Sequence, residues 1–257
     1  MRGSTGWARL PSMDVLRQHE IAESSHRILN AFDDRRLMRL GQICRLRPGQ
    51  QLLDLACGKG EMLCRWAEHY GIGGLGVDFS KVFTAAARER AVELGVADRV
   101  RIELADASTY EAEPASYDLV SCIGATWIGG GPAGTIELMR PALRPGGLLL
   151  VGEPYWVEEP PAEAFRVHPA GEFTTLEGTM DRFASVGAEL VEMVLADGDC
   201  WDRYAGAHWW NIHAWLQENP DDPDVPVMRE QLESRRRNHL AWRRRCLGWG
   251  VFVLRPT

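Results

Sequence analysis

The chain has 257 residues, 45 % of them hydrophobic and 25 % charged, which suits one large α/β domain with an appendage and excludes a disordered chain. A net charge of −7 argues against a nucleic-acid partner, which proteins meet with a basic surplus. No apolar run approaches the roughly 20 residues that span a bilayer, and the first residues lack the apolar core of a secretion signal, so a cytoplasmic protein with no membrane span is expected.

Residues 1–12 show no pattern, which makes Met13 a candidate start. Residues 13–45 read as helical: Ser24 and Ser25 can cap a run in which Ile28, Leu29, Phe32, Leu37, Leu40 and Ile43 recur at helix-like spacing. RPGQ at 47–50 breaks that run, and QLLDLA at 51–56 is a short apolar stretch of the kind buried in a parallel sheet. A helix at 60–69, a strand at 74–79, a helix from Ser80 to Leu94 and strands at 100–104 and 117–123 follow. A helix at 132–143 stops at RPGG, and 148–152 is a fifth strand. Residues 153–171 are rich in proline and aromatics and read as a long loop. The chain then gives a helix at 175–187, a strand at 189–196, two helices within 199–246 split by NPDDPD, and a last strand at 248–254.

Strand–helix alternation with short links predicts an α/β fold. The expected form is a seven-stranded, mostly parallel, doubly wound sheet with a helical cap between the last two strands. The division expected is an N-terminal helical segment (1–46), a core (47–198 and 247–257) and a cap (199–246). Cys44, Cys57, Cys64, Cys122, Cys200 and Cys246 form no CxxC pair and have no histidine at zinc-ligand spacing. They read as reduced thiols, and no metal site is expected.

The densest signal is LDLACGKGE at 53–61, where a strand end turns into a helix. Gly58 and Gly60 let the backbone turn tightly and let a ligand lie against it. Asp78 ends the next strand, where a carboxylate accepts from both hydroxyls of a ribose. Asp106, after the third strand, stands where an adenine amino group would be read. A nicotinamide oxidoreductase would carry a third glycine for close helix–strand contact, and Leu63 stands there instead. Asp54 would repel a pyrophosphate and attract the ammonium of a methionyl group. The set therefore favours S-adenosylmethionine (SAM) over a dinucleotide.

LDLACGKG at 53–60 resembles the first motif of class I SAM-dependent methyltransferases, GVDFS at 76–80 their ribose segment and LADA at 104–107 their adenine segment. YDLVSC at 117–122 and LRPGGLLLV at 143–151 resemble their fourth strand and the turn into the fifth. GATWI at 124–128, GEPYW at 152–156, WDRY at 201–204 and GWGVF at 248–252 resemble an uncharacterised bacterial branch of that superfamily, of small-molecule type. The resemblance implies that Asp54, Ala56, Gly58 and Gly60 line the methionine side, that Asp78 holds the ribose with Phe79 near the adenine, and that Asp106 and Ala107 contact the adenine. It also implies that Cys122 and Gly124 lie under the sulfonium, and that the segment around His26 closes over the cofactor.

Methyl transfer needs alignment, exclusion of water and sometimes a proton acceptor, so sequence marks its residues weakly. GATWIGGGP at 124–132 replaces the Asn/Asp-Pro-Pro-Tyr/Phe of enzymes that methylate DNA adenine or protein glutamine, which argues against those acceptors, and a helical cap on an α/β core suits a buried small molecule. The glycines at 129–131 read as a turn, or as room for a substrate against Trp127. Six of the ten tryptophans lie at 201–249, which marks the cap as an aromatic wall or as a helix pair held by its aromatics. Tyr204 and His208 share a helix face there. His208 and Glu153, at the tip of the fifth strand, are the candidate proton acceptors, each weighed against a purely structural place. Tyr155 and Trp156 are candidates for the pocket wall or for pinning the loop, and His168 for an exposed loop position. Arg235–Arg237 and Arg243–Arg245 read as a solvated basic face with neighbouring acids. A cyclopropane-forming lipid enzyme of the same superfamily, a nicotinamide oxidoreductase and a non-catalytic SAM sensor stand as alternatives.

Overall fold

In a computed structural model, which describes residues 13–257, the sheet is built around β1 (Gln51–Leu55), whose last four residues are all buried. Residues 1–12 of the expected N-terminal segment lie outside the described residues. The remaining strands are β2 (Gly73–Asp78), β3 (Val100–Leu104), β4 (Tyr117–Ile123), β5 (Leu143–Trp156), β6 (Ala188–Leu195) and β7 (Leu247–Pro256). Their order is β3-β2-β1-β4-β5-β7-β6. The first five are parallel, and β7 runs antiparallel between β5 and β6.

Both faces of the central strands are covered, so these strands are continuous apolar runs without alternation. On one face Leu52, Leu119, Leu150 and Val251 meet α2 (Asp34–Ile43), α3 (Glu61–Tyr70) and α4 (Lys81–Glu93). On the other, Leu53, Val120, Val151 and Phe252 meet α5 (Pro132–Met139) and α6 (Leu176–Ala184). Trp66 of α3 is fully buried, and its indole N–H donates to the Leu37 carbonyl at 3.1 Å, which locks α2 onto this layer. The strand order reverses between β1 and β4, and ligands enter such sheets at the crevice this leaves beyond the strand ends.

Between β6 and β7 the chain inserts α7 (Gly198–Glu218) and α8 (Val225–Asn238), the latter continued by a π-helical turn over His239–Arg243. α1 (Met13–Ala22) packs across them, burying Ala22 with Ile212, Met228 and Leu232. Among the described residues no helix is long and apolar enough to cross a membrane.

Two expected elements differ. The helical run over 13–45 is broken, because residues 23–33 are not helical. α2 starts where the Asp33 carboxylate accepts from the Arg36 N–H at 2.7 Å, so Asp33 and not Ser24 or Ser25 is the cap. β5 runs on to Trp156 instead of yielding to a loop at Glu153, because β7 pairs with it as far as Trp156 opposite Leu247.

The glycines at 129–131 serve two purposes. Gly129 lies against the first turn of α5, where a Cβ on Gly134 would sit 2.1 Å from the Gly129 carbonyl oxygen. Gly130 has φ +74° with open space around it. Gly134→Ala should therefore destabilise by about 1–3 kcal/mol and lower Tm by roughly 3–10 °C. Gly130→Asn, which keeps the left-handed backbone accessible, should shift Tm by no more than about 2 °C. Thermal unfolding followed by circular dichroism checks both.

Candidate active site

The turn after β1 holds three residues in the left-handed region: Ala56 (φ 56°), Gly58 (φ 54°) and Gly60 (φ 68°). That conformation costs a non-glycine residue about 1–2 kcal/mol, so Ala56 marks a backbone held for a purpose. A Cβ on Gly58 would lie 2.6 Å from the Leu29 side chain, and one on Gly60 would lie 2.9 Å from the Ala87 Cβ. Gly58 therefore lets the 23–33 segment rest on the loop, and Gly60 lets α3 close on α4.

Two carboxylates flank the turn. Asp78, at the end of β2, accepts from the Gly58 and Ser80 backbone N–H groups, each at 2.9 Å, which joins the glycine turn to the cap of α4. Asp54 in β1 is 3 % exposed and accepts from the Ser121 hydroxyl on β4 at 2.6 Å. Burial pushes its pKa up to about 7, against that hydrogen bond, with the like charge of Asp78 adding to the rise. Burial also raises Asp78 above its ordinary value. Among the described residues neither forms an ion pair.

A cavity of about 510 Å³ opens over these groups, lined by Asp54, Ala56, Gly58, Asp78, Phe79 and Gly124 from the sheet side. Residues 27–32 of the N-terminal segment, Tyr204 of α7 and Arg235 of α8 form its other walls. A second cavity of about 490 Å³ shares Gly124, Trp127, Pro154 and Trp249 with the first. Glu153 lines this second cavity, accepts from the Thr126 hydroxyl at 2.6 Å, and is raised by burial to about 7. Arg182 shapes the rim by donating to the Gly171 and Glu172 carbonyls.

The segment over the first cavity is tied down from both sides. The Lys59 ammonium donates to the carbonyls of Glu23 (2.8 Å), Ser24 (2.9 Å) and His26 (2.8 Å). The Glu23 side chain, fully buried, accepts from the Tyr204 hydroxyl at 2.5 Å and from His208 Nε2 at 2.8 Å. Burial would raise this carboxyl, but His208 and the neighbouring His26 outweigh it and hold the pKa far below the usual range. Burial lowers His208, against the pull of Glu23 and with the help of Arg235.

Several expected residues fall elsewhere. Gly60 caps α3 behind the cavity wall. The Asp106 carboxylate accepts from the Ser108 N–H and hydroxyl, and neither Asp106 nor Ala107 lines either cavity. Cys122 is fully buried in the core on the α5–α6 face, because the pleat turns it away from the strand end. His26 and His208 pack on Tyr204 with rings 4.9 and 4.4 Å away, and line neither cavity. Tyr155 is buried against Gly248, and Trp156 against Trp242 and Phe173, so both sit in cores instead of cavity walls. His168 is not the exposed loop residue expected: it lies between Glu172 (3.2 Å) and Arg243 (2.9 Å). Of the basic run, Arg237, Arg244 and Arg245 pair with acids at the surface. Arg235 instead lines the first cavity, and Arg243 is half-buried, its guanidinium desolvated enough to lower its pKa to about 10.

Sequence reading missed Glu23, Lys59 and Trp249. The helical reading of 13–45 hid Glu23, whereas a lysine between two loop glycines was a visible signal.

A methyltransferase-domain family model matches residues 52–147. The chain is 45 % identical over 246 residues to the uncharacterised protein YjhP of Escherichia coli, covering 94 % of this chain and 99 % of the relative. It is 48 % identical, at a TM-score of 0.90, to a SAM-dependent methyltransferase of Geobacter sulfurreducens solved with S-adenosyl-L-homocysteine, over 94 % of this chain and 98 % of that one. A SAM-dependent methyltransferase of Thiobacillus denitrificans, also solved with S-adenosyl-L-homocysteine, is 43 % identical at a TM-score of 0.88, with coverage of 94 % and 98 %.

Lys59→Met keeps the length of the side chain and removes all three hydrogen bonds to the 23–26 turn. Amide hydrogen exchange over residues 23–30 should accelerate at least about tenfold, while β1 and β4 exchange as before. Unchanged exchange in that segment would show that Lys59 does not hold it.

Proposed function

The chain belongs to the class I SAM-dependent methyltransferases, and on that premise we propose that it methylates a small molecule, seating SAM in the first cavity and the acceptor in the second. The observation that carries this reading is the shared wall. Two half-open cavities of about 510 and 490 Å³ meet at Gly124, Trp127, Pro154 and Trp249, and the second holds a buried carboxyl poised near neutral pH.

The first cavity suits SAM in charge and shape. Asp54 and Asp78 are buried carboxylates without ion pairs, so a cationic ligand offsets a cost the protein alone leaves standing. The left-handed backbone at Ala56 and Gly58 turns the end of β1 along the cavity wall, where both residues line it. In this reading Asp54 holds the ammonium, Asp78 the ribose hydroxyls and Phe79 the adenine, while Gly124 allows close approach beneath the sulfonium. When bound, SAM supplies an electrophilic methyl group. Residues 23–33 close over the cofactor, and α7 with α8 forms the cap that excludes water.

Glu153 is the proton acceptor of the proposal. A carboxyl near pH 7 is ionised in a large fraction of molecules at neutral pH and still takes up a proton readily. His208 is less suited, because Glu23 and Arg235 engage its two nitrogens and it lines neither cavity. The acceptor is then an oxygen, nitrogen, sulfur or carbon nucleophile carrying an acidic hydrogen. Six free cysteines suit a reducing cytoplasm.

Asp54 attracts a cation only when ionised, and its pKa in the free protein is about 7. SAM affinity should therefore rise with pH from 5.5 and flatten above 7, falling up to about tenfold per unit on the acid side. In Asp54→Asn the profile should be flat and the affinity at pH 7.5 lower. Calorimetric titration of the acid limb between about pH 5.5 and 6.7, roughly one unit below the ordinary α-amino pKa, with both proteins compared again at pH 7.5, checks this. A pH-independent wild-type affinity would remove Asp54 from the site.

Glu153→Gln should keep the SAM Kd within about twofold and slow methyl transfer by about 10²–10⁴. Transfer from methyl-labelled SAM to a panel of phenols, amines and thiols provides the assay. Turnover in the variant equal to wild type would overturn the role of Glu153.

A further inference from the structure

Behind the first cavity lies a cluster that neither binding site uses. Glu23 and His26, three residues apart on the turn after α1, meet His208 of α7. Each offers one ligand atom, and these atoms all lie within 4.8 Å of one another. The Glu23 and His26 side chains are 0 % and 11 % exposed, and His208 is buried as well. Glu23 Oε2 and both ring nitrogens of His26 are buried without a hydrogen bond among the described residues. Oε2 and His26 Nδ1 lie 3.0 Å apart, yet their directions do not form a bond. Buried polar atoms are rarely left so, and orphans gathered at one place call for a common partner.

We infer that Glu23, His26 and His208 form a site for one divalent transition-metal ion of zinc-like chemistry, which fastens the N-terminal segment to the cap. The donor set is two imidazoles and a carboxylate with no thiolate, the preference of zinc, nickel and cobalt over calcium or magnesium. Three protein ligands leave the fourth position of a tetrahedral shell to water.

The surroundings already order the turn. Lys59 holds its carbonyls, and Asn211 of α7 donates to the Ala22 carbonyl at 2.8 Å. Arg235 Nη1 lies 3.4 Å from His208 Nδ1. A guanidinium only donates, so this contact requires an unprotonated Nδ1 and a proton on Nε2. With Nε2 on the metal the proton moves to Nδ1, and Arg235 turns from it toward the cavity it lines. The three ligands line neither cavity, so the metal fastens two elements and takes no part in methyl transfer. Spacing along the chain hid the site, because its third ligand comes from a helix distant in sequence.

The test uses chelator-stripped full-length protein, free of a histidine tag, titrated with zinc chloride and separately with cobalt chloride. The expected result is one zinc per chain and a Tm about 5–10 °C higher at a hundredfold excess over Kd, reversed by chelator. Cobalt should give the visible absorption of a tetrahedral site. His26→Gln should weaken zinc at least about 100-fold, while His168→Gln, which alters a half-buried histidine–carboxylate pair outside the cluster, leaves it unchanged. Substoichiometric zinc, or equal binding by His26→Gln, would overturn the proposal. A Tm that responds to pH between 5 and 8 but ignores metal would also overturn it and assign the cluster to protons. Because the cobalt spectrum needs no variant, a poorly folding His26→Gln leaves the test intact.

Discussion

Three carbonyl oxygens converge on the ammonium of Lys59, and through that contact the cofactor turn, the segment above it and the cap become one unit. Lys59 lies between the two glycines that turn β1 into α3, so its position is fixed by the sheet. The carbonyls it binds belong to Glu23, Ser24 and His26. The Glu23 side chain reaches on to Tyr204 and His208 of α7. A charge-assisted bond to a carbonyl contributes more than a neutral one, and three of them on one partly buried cation leave the 23–26 turn little freedom. The N-terminal segment covers the first cavity because the loop beneath it reaches up to hold it.

The electrostatics of the two cavities have a common sign. Asp54, Asp78 and Glu153 are buried carboxyls raised above their ordinary values, chiefly by burial. Elsewhere the protein pairs its buried acids: Glu61 with Arg90, Glu23 with His208. The contrast separates acids that serve the fold from acids that await a partner. In the proposed function the partner of Asp54 is an ammonium, that of Asp78 a pair of ribose hydroxyls, and that of Glu153 a proton. The fold tolerates the cost because each of the three keeps a hydroxyl or backbone donor that fixes its direction.

The β1 turn was legible because a parallel strand buried on both faces is a plain apolar run, and because Gly58 and Gly60 stand where the backbone is left-handed. Residues 23–33 were not legible. Ile28, Leu29 and Phe32 keep helix-like spacing, yet Leu29 is apolar in order to meet Gly58, with no helix face to form. The far end of β5 was hidden because Pro154 suggests a loop, and only the pairing with β7 makes it a strand. Tyr155 and Trp156 followed from that misreading: in a strand they alternate into cores. His208 drew attention as an isolated base, when its chemistry belongs to Glu23, a residue 185 positions away. Local pattern reports the sheet edge well, and reports contacts between the N-terminal segment and the cap poorly.

The antiparallel last strand is what divides one crevice into two. β7 enters between β5 and β6, and its register sets Trp249 opposite Pro154. The indole then lies over two glycines: a Cβ on Gly152 would come within 3.0 Å of the ring, and one on Gly124 within 3.1 Å. Nearer still would be Ile123 at the first and Asn30 at the second, so both positions must be small for these groups and the ring to close on the ends of β4 and β5. With Trp249 there, the space above the sheet splits into a side facing Asp54 and a side facing Glu153, joined at Gly124 and Trp127. In the proposed function an electrophile on one side and a proton acceptor on the other meet at that junction. The geometry of transfer would then be set by strand register and two missing side chains, and the chemistry of the acceptor by what fits beside Glu153.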